Sequence, residues 1–148
     1  MKRIFTTLIA VILTTMCVMG QTNADDIIGT WSGRQDGAGY RVKVTKQSDG
    51  TYQGQMLWME RDKDADGKKL LDTKNPDKKL RNVPHDRVVI FTGLKYNDDK
   101  QHWDGTKIYD PRRGMKAHLT VFMERDGRLR VKGSLLGISE SVYWTKVK

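Results

Sequence analysis

The alternation of apolar and polar residues constrains the fold of this chain more than any other feature of its sequence. The stretches YRVKVTK (40–46), MKAHLTVFME (115–124) and RLRVKG (128–133) place apolar side chains at every second position. This period is typical of β-strands with one buried face. Turn-forming stretches such as SDG, NDDK, DPRRG and RDG separate the segments. We therefore predict eight strands, at about residues 27–33, 39–47, 51–60, 87–96, 102–109, 115–124, 128–135 and 138–147.

Most of the predicted connections are short enough for hairpins, so consecutive strands should pair antiparallel. Eight such strands with one apolar face can close into an up-and-down barrel, which removes the exposed edges of the sheet. The expected fold is therefore a single all-β, eight-stranded antiparallel barrel.

One long segment, about Arg61 to Asp86, interrupts this rhythm, and we expect it to lie over one rim of the barrel as a lid. Within it, Asn75 followed by Pro76 resembles a helix N-cap and first turn, which predicts a short helix through Leu80.

The N-terminal sequence is typical of a signal peptide. Lys2 and Arg3 precede the uncharged apolar run IFTTLIAVILTTMCVMG, which is short for a membrane span. Cleavage is expected between Gly20 and Gln21, or alternatively after Ala24. Met16 precedes Cys17 where a lipoprotein signal needs a small residue, so lipidation is disfavoured. The expected organisation is a signal peptide over 1–20, a barrel domain over 21–148, and export to the periplasm or the extracellular space.

Composition limits the chemistry of the mature chain. The single cysteine, Cys17, lies in the predicted signal, so no disulfide or thiolate nucleophile is expected after cleavage. Removing Lys2 and Arg3 reduces the formal charge from +9 to +7. Because basic and acidic residues are interspersed, they are typical of a solvated surface, and export argues against nucleic acid as a partner. At most, we expect a weak attraction to anionic membrane surfaces. No cofactor is expected.

The stretch DKDADG resembles the opening of a calcium-binding loop, with Asp62, Asp64 and Asp66 at alternating positions. Thr73 occupies the position where such a loop needs a bidentate glutamate, and neighbouring lysines reduce the local charge. A solvated loop is therefore the preferred interpretation, and a weak metal site is the alternative.

Other candidate catalytic groups also have simpler explanations. Asp110 begins the turn DPRRG, where aspartate followed by proline is common. The spacing of His85, His102 and His118 fits no zinc motif, so each is interpreted as a surface or hydrogen-bonded histidine.

Two resemblances add to these predictions. Gly29-Thr30-Trp31 resembles the G-x-W element of lipocalins, in which the tryptophan closes one barrel end under a basic residue of the last strand; Lys146 would be that residue here. Five ordered blocks also resemble a small exported bacterial family catalogued as domain of unknown function 2147. They are IIGTW, TYQGQMLWM, DTKNPDKKLR, GTKIYDPRRG and LRVKGSLLGIS with YWTK. This resemblance implies a calycin-like barrel in a Gram-negative envelope and assigns no activity.

The expected function is non-enzymatic binding of a small apolar or amphipathic ligand in the barrel. Interior contacts are predicted from Trp58 and Tyr109, and contacts from the long segment and rim from Asn75, Leu80, Arg81 and Asp110. The periodicity does not decide whether the lumen is open or filled by side chains. One alternative is an envelope scaffold or interaction module with a filled barrel. Another is an enzyme that uses Asp104, Asp110 or His102.

Overall fold

The eight predicted strands all form, and each begins and ends within two residues of its predicted bounds. The computed structural model describes residues 21–148. The predicted signal peptide, including Cys17, lies outside the described residues. The strands are β1 (Gly29–Gln35), β2 (Ala38–Lys46), β3 (Tyr52–Met59), β4 (Val89–Asn97), β5 (His102–Asp110), β6 (Met115–Met123), β7 (Leu129–Leu135) and β8 (Ile138–Lys146).

These strands form one closed antiparallel barrel in the order of the chain. Pairing of Trp31 with Lys146 and of Ser32 with Thr145 joins β1 to β8. Closure leaves no free sheet edge at this seam, as the meander pattern predicts. The core lies inside the cylinder and includes Val42, Val44, Leu119 and Val131.

One end of the barrel is sealed by tryptophan and by the N-terminal segment. Trp31 is 1% exposed, and Lys146 Nζ lies 5.5 Å from the centroid of its ring. The geometry predicted from the G-x-W element is therefore present. Just before β1, Ala24–Ile27 form a 3₁₀ turn. The carbonyl oxygen of Ile27 accepts a hydrogen bond from Trp31 Nε1 at 2.8 Å, and that of Ala24 accepts one from Trp103 Nε1 at 3.0 Å.

The long segment between β3 and β4 contains two short 3₁₀ turns, Lys78–Leu80 and His85–Arg87. The helix predicted to begin at Asn75 and Pro76 is wrong in its start and type. Asp77 caps the first turn, because its carboxylate accepts a hydrogen bond from the Lys79 N–H at 3.0 Å. Asn75 instead accepts from the Asp77 N–H at 2.9 Å. Among the 3₁₀ turns found in residues 21–148, none is long and apolar enough to span a membrane.

Candidate functional site

A cavity of about 760 Å³ occupies the barrel interior at the end opposite Trp31. It opens between three hairpin turns: β1–β2, β5–β6 and β7–β8. Its lining includes Asp36, Pro111 and Leu136 from these turns. The interior wall is mostly apolar and includes Met56, Met59, Ile90, Ile108, Ala117, Val131, Val142 and Trp144. The lumen is therefore partly open, which answers the question that strand periodicity left undecided.

The inner part of this cavity contains an ordered aromatic pair. Trp144 Nε1 donates a hydrogen bond to the Tyr40 hydroxyl at 2.9 Å, and the two rings meet edge to face at 6.5 Å. Gly33 makes room for them, because a Cβ there would lie 2.6 Å from the tyrosine ring. Burial raises the pKa of Tyr40, so its hydroxyl stays protonated at neutral pH. The pair offers a rigid aromatic surface to anything that enters the lumen.

His85 supplies a polar atom in the wall of the cavity. Its side chain is buried, and in the described part of the chain Nδ1 is the one buried side-chain polar atom without a hydrogen-bond partner. Burial lowers the pKa of His85, because removal from water disfavours the charged ring. The imidazole is therefore neutral at pH 7. Buried polar groups are seldom unpaired, and because Nδ1 is itself buried, it lies behind the cavity surface and not on it. Of the two interpretations of His85, the surface one is wrong, because the side chain is buried.

The long segment completes the cavity wall where the backbone pairing between β4 and β5 is interrupted. The β4–β5 pairing covers Lys95–Asn97 and His102–Asp104, and the gap in backbone pairing beyond it is bridged by the Thr106 hydroxyl, which donates to the Thr92 carbonyl at 2.7 Å. Ile90 and Tyr109 line both the cavity and a second, more polar recess of about 740 Å³ at this gap. Arg61, Leu70 and His85 bring the long segment to the cavity, so the segment lies at the rim as predicted.

A buried aspartate fixes the segment to the barrel. Asp72 is 1% exposed, and its two carboxylate oxygens accept hydrogen bonds from the Tyr109 hydroxyl at 2.6 Å and from Asn75 Nδ2 at 2.7 Å. Burial, followed by the adjacent Asp72 carboxylate, raises the pKa of Tyr109. Asn75 therefore supports Asp72 rather than lining the cavity.

The other predicted site residues separate into two groups. Tyr109 and Asp110 line the cavity, whereas Leu80 and Arg81 do not. Leu80 is exposed, and Arg81 Nε donates to the Asn75 carbonyl at 2.8 Å. The predicted lid contacts of Asn75, Leu80 and Arg81 are thus not brought to the lumen.

Trp58 lies outside the barrel, so its predicted interior contact is wrong. In β3, Met56 pairs with Val42 and Trp58 with Arg41, which leaves Leu57 as the extra residue of a bulge. A bulge shifts the alternation by one residue. Met59 therefore lines the cavity, while Trp58 is 45% exposed and stacks under the Arg41 guanidinium at 5.6 Å.

Asp110 has the turn geometry that its sequence predicts, and it also stands at the mouth of the cavity. Its carboxylate accepts a hydrogen bond from the Arg112 N–H at 2.9 Å, and Gly114 closes the turn with a φ of +66°. Arg112 and Arg113 place guanidinium nitrogens 3.6 and 3.7 Å from the same carboxylate. The two arginines therefore balance the charge of Asp110 at the opening.

The aspartate-rich loop is held by internal contacts. The Asp64 carboxylate accepts hydrogen bonds from the N–H groups of Asp66 and Lys68 at 2.9 and 3.0 Å. Lys69 bridges Asp62 and Asp86 and lowers the pKa of Asp62. Within residues 21–148, no cluster of three or more His, Cys, Asp or Glu side chains has the geometry for a metal ion. The side chains of Asp62 and Asp64 are thus already engaged by the loop itself.

The candidate catalytic residues lie in different places. His102 Nε2 and Asp104 Oδ2 are 2.8 Å apart, and the His102 ring packs edge-on against Phe122 at 5.2 Å. Neither His102 nor Asp104 lines the cavity, whereas Asp110 does. The three side chains therefore do not share one site.

Sequence reasoning missed His85, Met59 and the exposed hairpin tip at Leu136. The Leu136-Gly137 pair did carry a signal, because a leucine in a position where hairpins favour asparagine or aspartate is unusual. The roles of Met59 and His85 depend on the β3 bulge and on the path of the long segment, and neither follows from a local pattern.

Comparisons with known proteins agree with this architecture. The model of the bacterial family DUF2147, described as an uncharacterised protein conserved in bacteria, matches residues 29–146. No curated protein sequence matches the chain. Among solved structures, protein HP1028 from Helicobacter pylori, which is described as belonging to the lipocalin family, is 23% identical. The match covers 82% of each chain with a TM-score of 0.65, which supports a shared fold. With its lipocalin-like closed barrel and a family match over nearly all of the described residues, the chain belongs to the DUF2147 family.

Proposed function

We propose that the protein is a non-enzymatic envelope protein that binds one small apolar or amphipathic ligand inside its barrel. The observation that carries this proposal is the open, mostly apolar cavity of about 760 Å³. That volume lies within the range of about 300–1,000 Å³ that is typical of small-molecule sites. An apolar wall with few polar groups favours ligands with a hydrocarbon body.

The polar groups of the cavity favour an amphipathic ligand over a purely apolar one. The Tyr40 hydroxyl, which lines the cavity, accepts a hydrogen bond from Trp144 Nε1. This hydroxyl keeps its own proton to donate, so an oxygen of an amphipathic ligand can accept this hydrogen bond.

If the chain is exported, the contacts of the N-terminal segment favour cleavage after Gly20 over cleavage after Ala24. The Thr22 carbonyl accepts a hydrogen bond from the Tyr96 hydroxyl at 2.8 Å, and Asp25 accepts one from the Tyr52 hydroxyl at 2.6 Å. Cleavage after Ala24 would remove the first of these contacts and the Ala24 carbonyl contact with Trp103.

A cavity-filling variant tests ligand binding. Gly133 lies in the cavity wall, where an added Cβ would meet Ala117 at 3.4 Å. Gly133→Leu should therefore fill part of the lumen and displace the apolar dye N-phenyl-1-naphthylamine from it. We expect the Kd of the dye to rise at least about tenfold, because the free energy lost is comparable to that of burying one leucine side chain. Lys132→Leu adds the same side chain at the neighbouring position on the opposite face of β7 and should leave the dye affinity unchanged.

The dye should also be displaced by 1-decanol more strongly than by decyltrimethylammonium, because burying a permanent charge in a mostly apolar cavity is costly. Absence of dye binding to the unmodified protein, or equal binding by both leucine variants, would contradict the proposal.

A second candidate function is surface interaction, because apolar side chains are exposed beside the opening. Leu136 is 93% and Ile138 72% exposed. Such a patch is typical of contact with a partner or a membrane. This function is compatible with an occupied lumen.

A further inference from the structure

The tip of the β7–β8 hairpin combines an unfavourable backbone conformation with an exposed apolar side chain. Leu136 has φ +49° and is followed by Gly137 at φ +78°. The β1–β2 hairpin has the same conformation, with Asp36 at +50° and Gly37 at +77°. Such turns favour Asn-Gly or Asp-Gly, because asparagine and aspartate adopt positive φ more easily than leucine does. Residues held in a strained backbone conformation occur at functional sites more often than elsewhere in proteins.

The apolar tip is continuous with the mouth of the cavity. Leu135, Leu136 and Ile138 from this hairpin and Met115 from the start of β6 all line the opening. Leu136, Ile138 and Met115 are exposed. The mouth is therefore bordered on one side by an apolar rim that projects beyond the barrel wall.

The remaining rim carries cationic side chains that no carboxylate neutralises. Arg112 Nη1 lies 2.9 Å from the Asp36 carboxylate, and Arg113 Nη1 lies 3.2 Å from Glu140. These contacts pair the rim acids with arginines. In the part of the chain that the structure describes, Arg61 and Lys116 at the same opening have no carboxylate within 4.0 Å. Residues 21–148 as a whole carry a formal charge of +7, since the full chain has +9 and residues 1–20 include Lys2 and Arg3.

We propose that the mouth of the barrel docks on an anionic lipid bilayer, with Leu136 and Ile138 inserted among the headgroups and Arg61 and Lys116 facing the lipid phosphates. Apolar side chains flanked by cations are the combination that holds proteins at a bilayer interface. A second copy of the chain fits this surface less well, because two strongly basic molecules repel each other. Docking does not require an occupied cavity, although it would place the opening against a lipid reservoir.

Co-sedimentation with lipid vesicles tests the proposal. The purified chain from Gln21 onward is used, because the apolar run within residues 1–20 would itself bind bilayers, and the described core is built from residues that follow Gln21. We expect binding to mixed phosphatidylglycerol–phosphatidylcholine vesicles, weaker binding to phosphatidylcholine alone, and a decrease with added salt, since screening shortens to about 10 Å at 0.1 M.

Leu136→Asp is the decisive variant. It creates the Asp-Gly turn that the β1–β2 hairpin already uses, so it should fold normally and lower vesicle partitioning about tenfold or more. Leu80→Asp is the control, because Leu80 is also exposed but does not line the mouth. This variant should bind vesicles as strongly as the unmodified protein. Arg61→Glu should weaken binding to phosphatidylglycerol vesicles and not to phosphatidylcholine.

Three results would overturn the proposal: no binding of the unmodified chain to anionic vesicles, equal binding by the Leu136→Asp variant, or an equal loss for Leu80→Asp. A Leu136-dependent dimer in analytical ultracentrifugation without vesicle binding would also overturn it and assign the surface to a second copy. Dye binding by Leu136→Asp in solution is a separate readout, so failure of docking is distinguishable from failure of ligand binding.

Discussion

Trp31 is the residue on which closure of the barrel depends most directly. Its ring is 1% exposed, its Nε1 donates to Ile27, and Lys146 covers one face. Because a whole domain is stable by only about 5–15 kcal/mol, loss of one fully packed indole is a large fraction of the total.

We predict that Trp31→Ala lowers the free energy of unfolding by about 3–5 kcal/mol, through the cavity it leaves and the lost apolar contact. Urea denaturation followed by far-UV circular dichroism measures this. Trp58→Ala is the matched control, because Trp58 is 45% exposed, and it should change stability by less than about 1 kcal/mol. Equal effects of the two substitutions would show that Trp31 does not seal the barrel.

Leu136 is a residue whose replacement should stabilise the protein. Leucine at φ +49° is strained, whereas asparagine tolerates this conformation. We predict that Leu136→Asn raises the free energy of unfolding by about 1 kcal/mol, which thermal melting detects as a rise of a few degrees in Tm. A lower Tm would mean that the exposed leucine makes folded-state contacts that outweigh its strain.

At the scale of single elements, β3 shows how one extra residue changes a site. The bulge at Leu57 turns Trp58 outward and brings Met59 to the lumen. The adjoining pair β3–β4 is also irregular, with register shifts on both sides of Gly54. Here a glycine is required by close packing, since a Cβ at Gly54 would overlap the Phe91 ring.

We therefore predict that Gly54→Ala lowers the free energy of unfolding by about 1–3 kcal/mol, as expected for an overpacked core. Gly133→Ala is the matched control in another strand, where the new Cβ would meet its nearest neighbour at an ordinary 3.4 Å. Its stability should be unchanged or higher by about 0.5 kcal/mol, because glycine is unfavourable inside a strand. Chemical denaturation of both variants gives the comparison, and a more stable Gly54→Ala protein would contradict the packing argument.

At the scale of the whole molecule, the two ends of the barrel differ in polarity and in what closes them. The N-terminal segment and Trp31 seal one end with satisfied hydrogen bonds. The other end keeps an opening, rim charges and the unpaired His85 nitrogen. If the proposed ligand binds in the lumen, this asymmetry leaves one end of the barrel open for its entry.

The buried His85 should make global stability depend on pH. Its folded-state pKa lies below the unfolded value, because burial opposes protonation. As pH falls below about 6.5, the ordinary pKa of histidine, the unfolded chain binds a proton that the folded chain does not, so stability decreases. We predict that His85→Phe reduces the loss of stability between pH 7.5 and pH 5.5, measured as urea midpoints. His118→Gln is the matched control, because it replaces an exposed histidine of β6, and an equal change of slope in both variants would contradict the assignment to burial. An unaltered slope in His85→Phe would contradict this account.

Much of the fold could be predicted from the sequence because its determinants are local. The period-two pattern and the turn residues depend on neighbours within a few positions, and they predicted the eight strands and their order. The G-x-W element likewise predicted Trp31 and Lys146 at the sealed end, and the residues DPRRG predicted the turn at Asp110.

The candidate site was predicted only in part, with Tyr109 and Asp110 at the cavity and Trp58, Asn75, Leu80 and Arg81 away from it. Those positions depend on long-range contacts: the β3 bulge, the gap in backbone pairing between β4 and β5, and the hydrogen bonds of Asp72 with Tyr109 and Asn75. The sequence by itself thus determined which strands form and how they are connected, since the alternation and the turn residues act locally. Only the tertiary structure decided which side chains face the lumen, because orientation at a bulge and burial of a loop depend on partners far away in the chain.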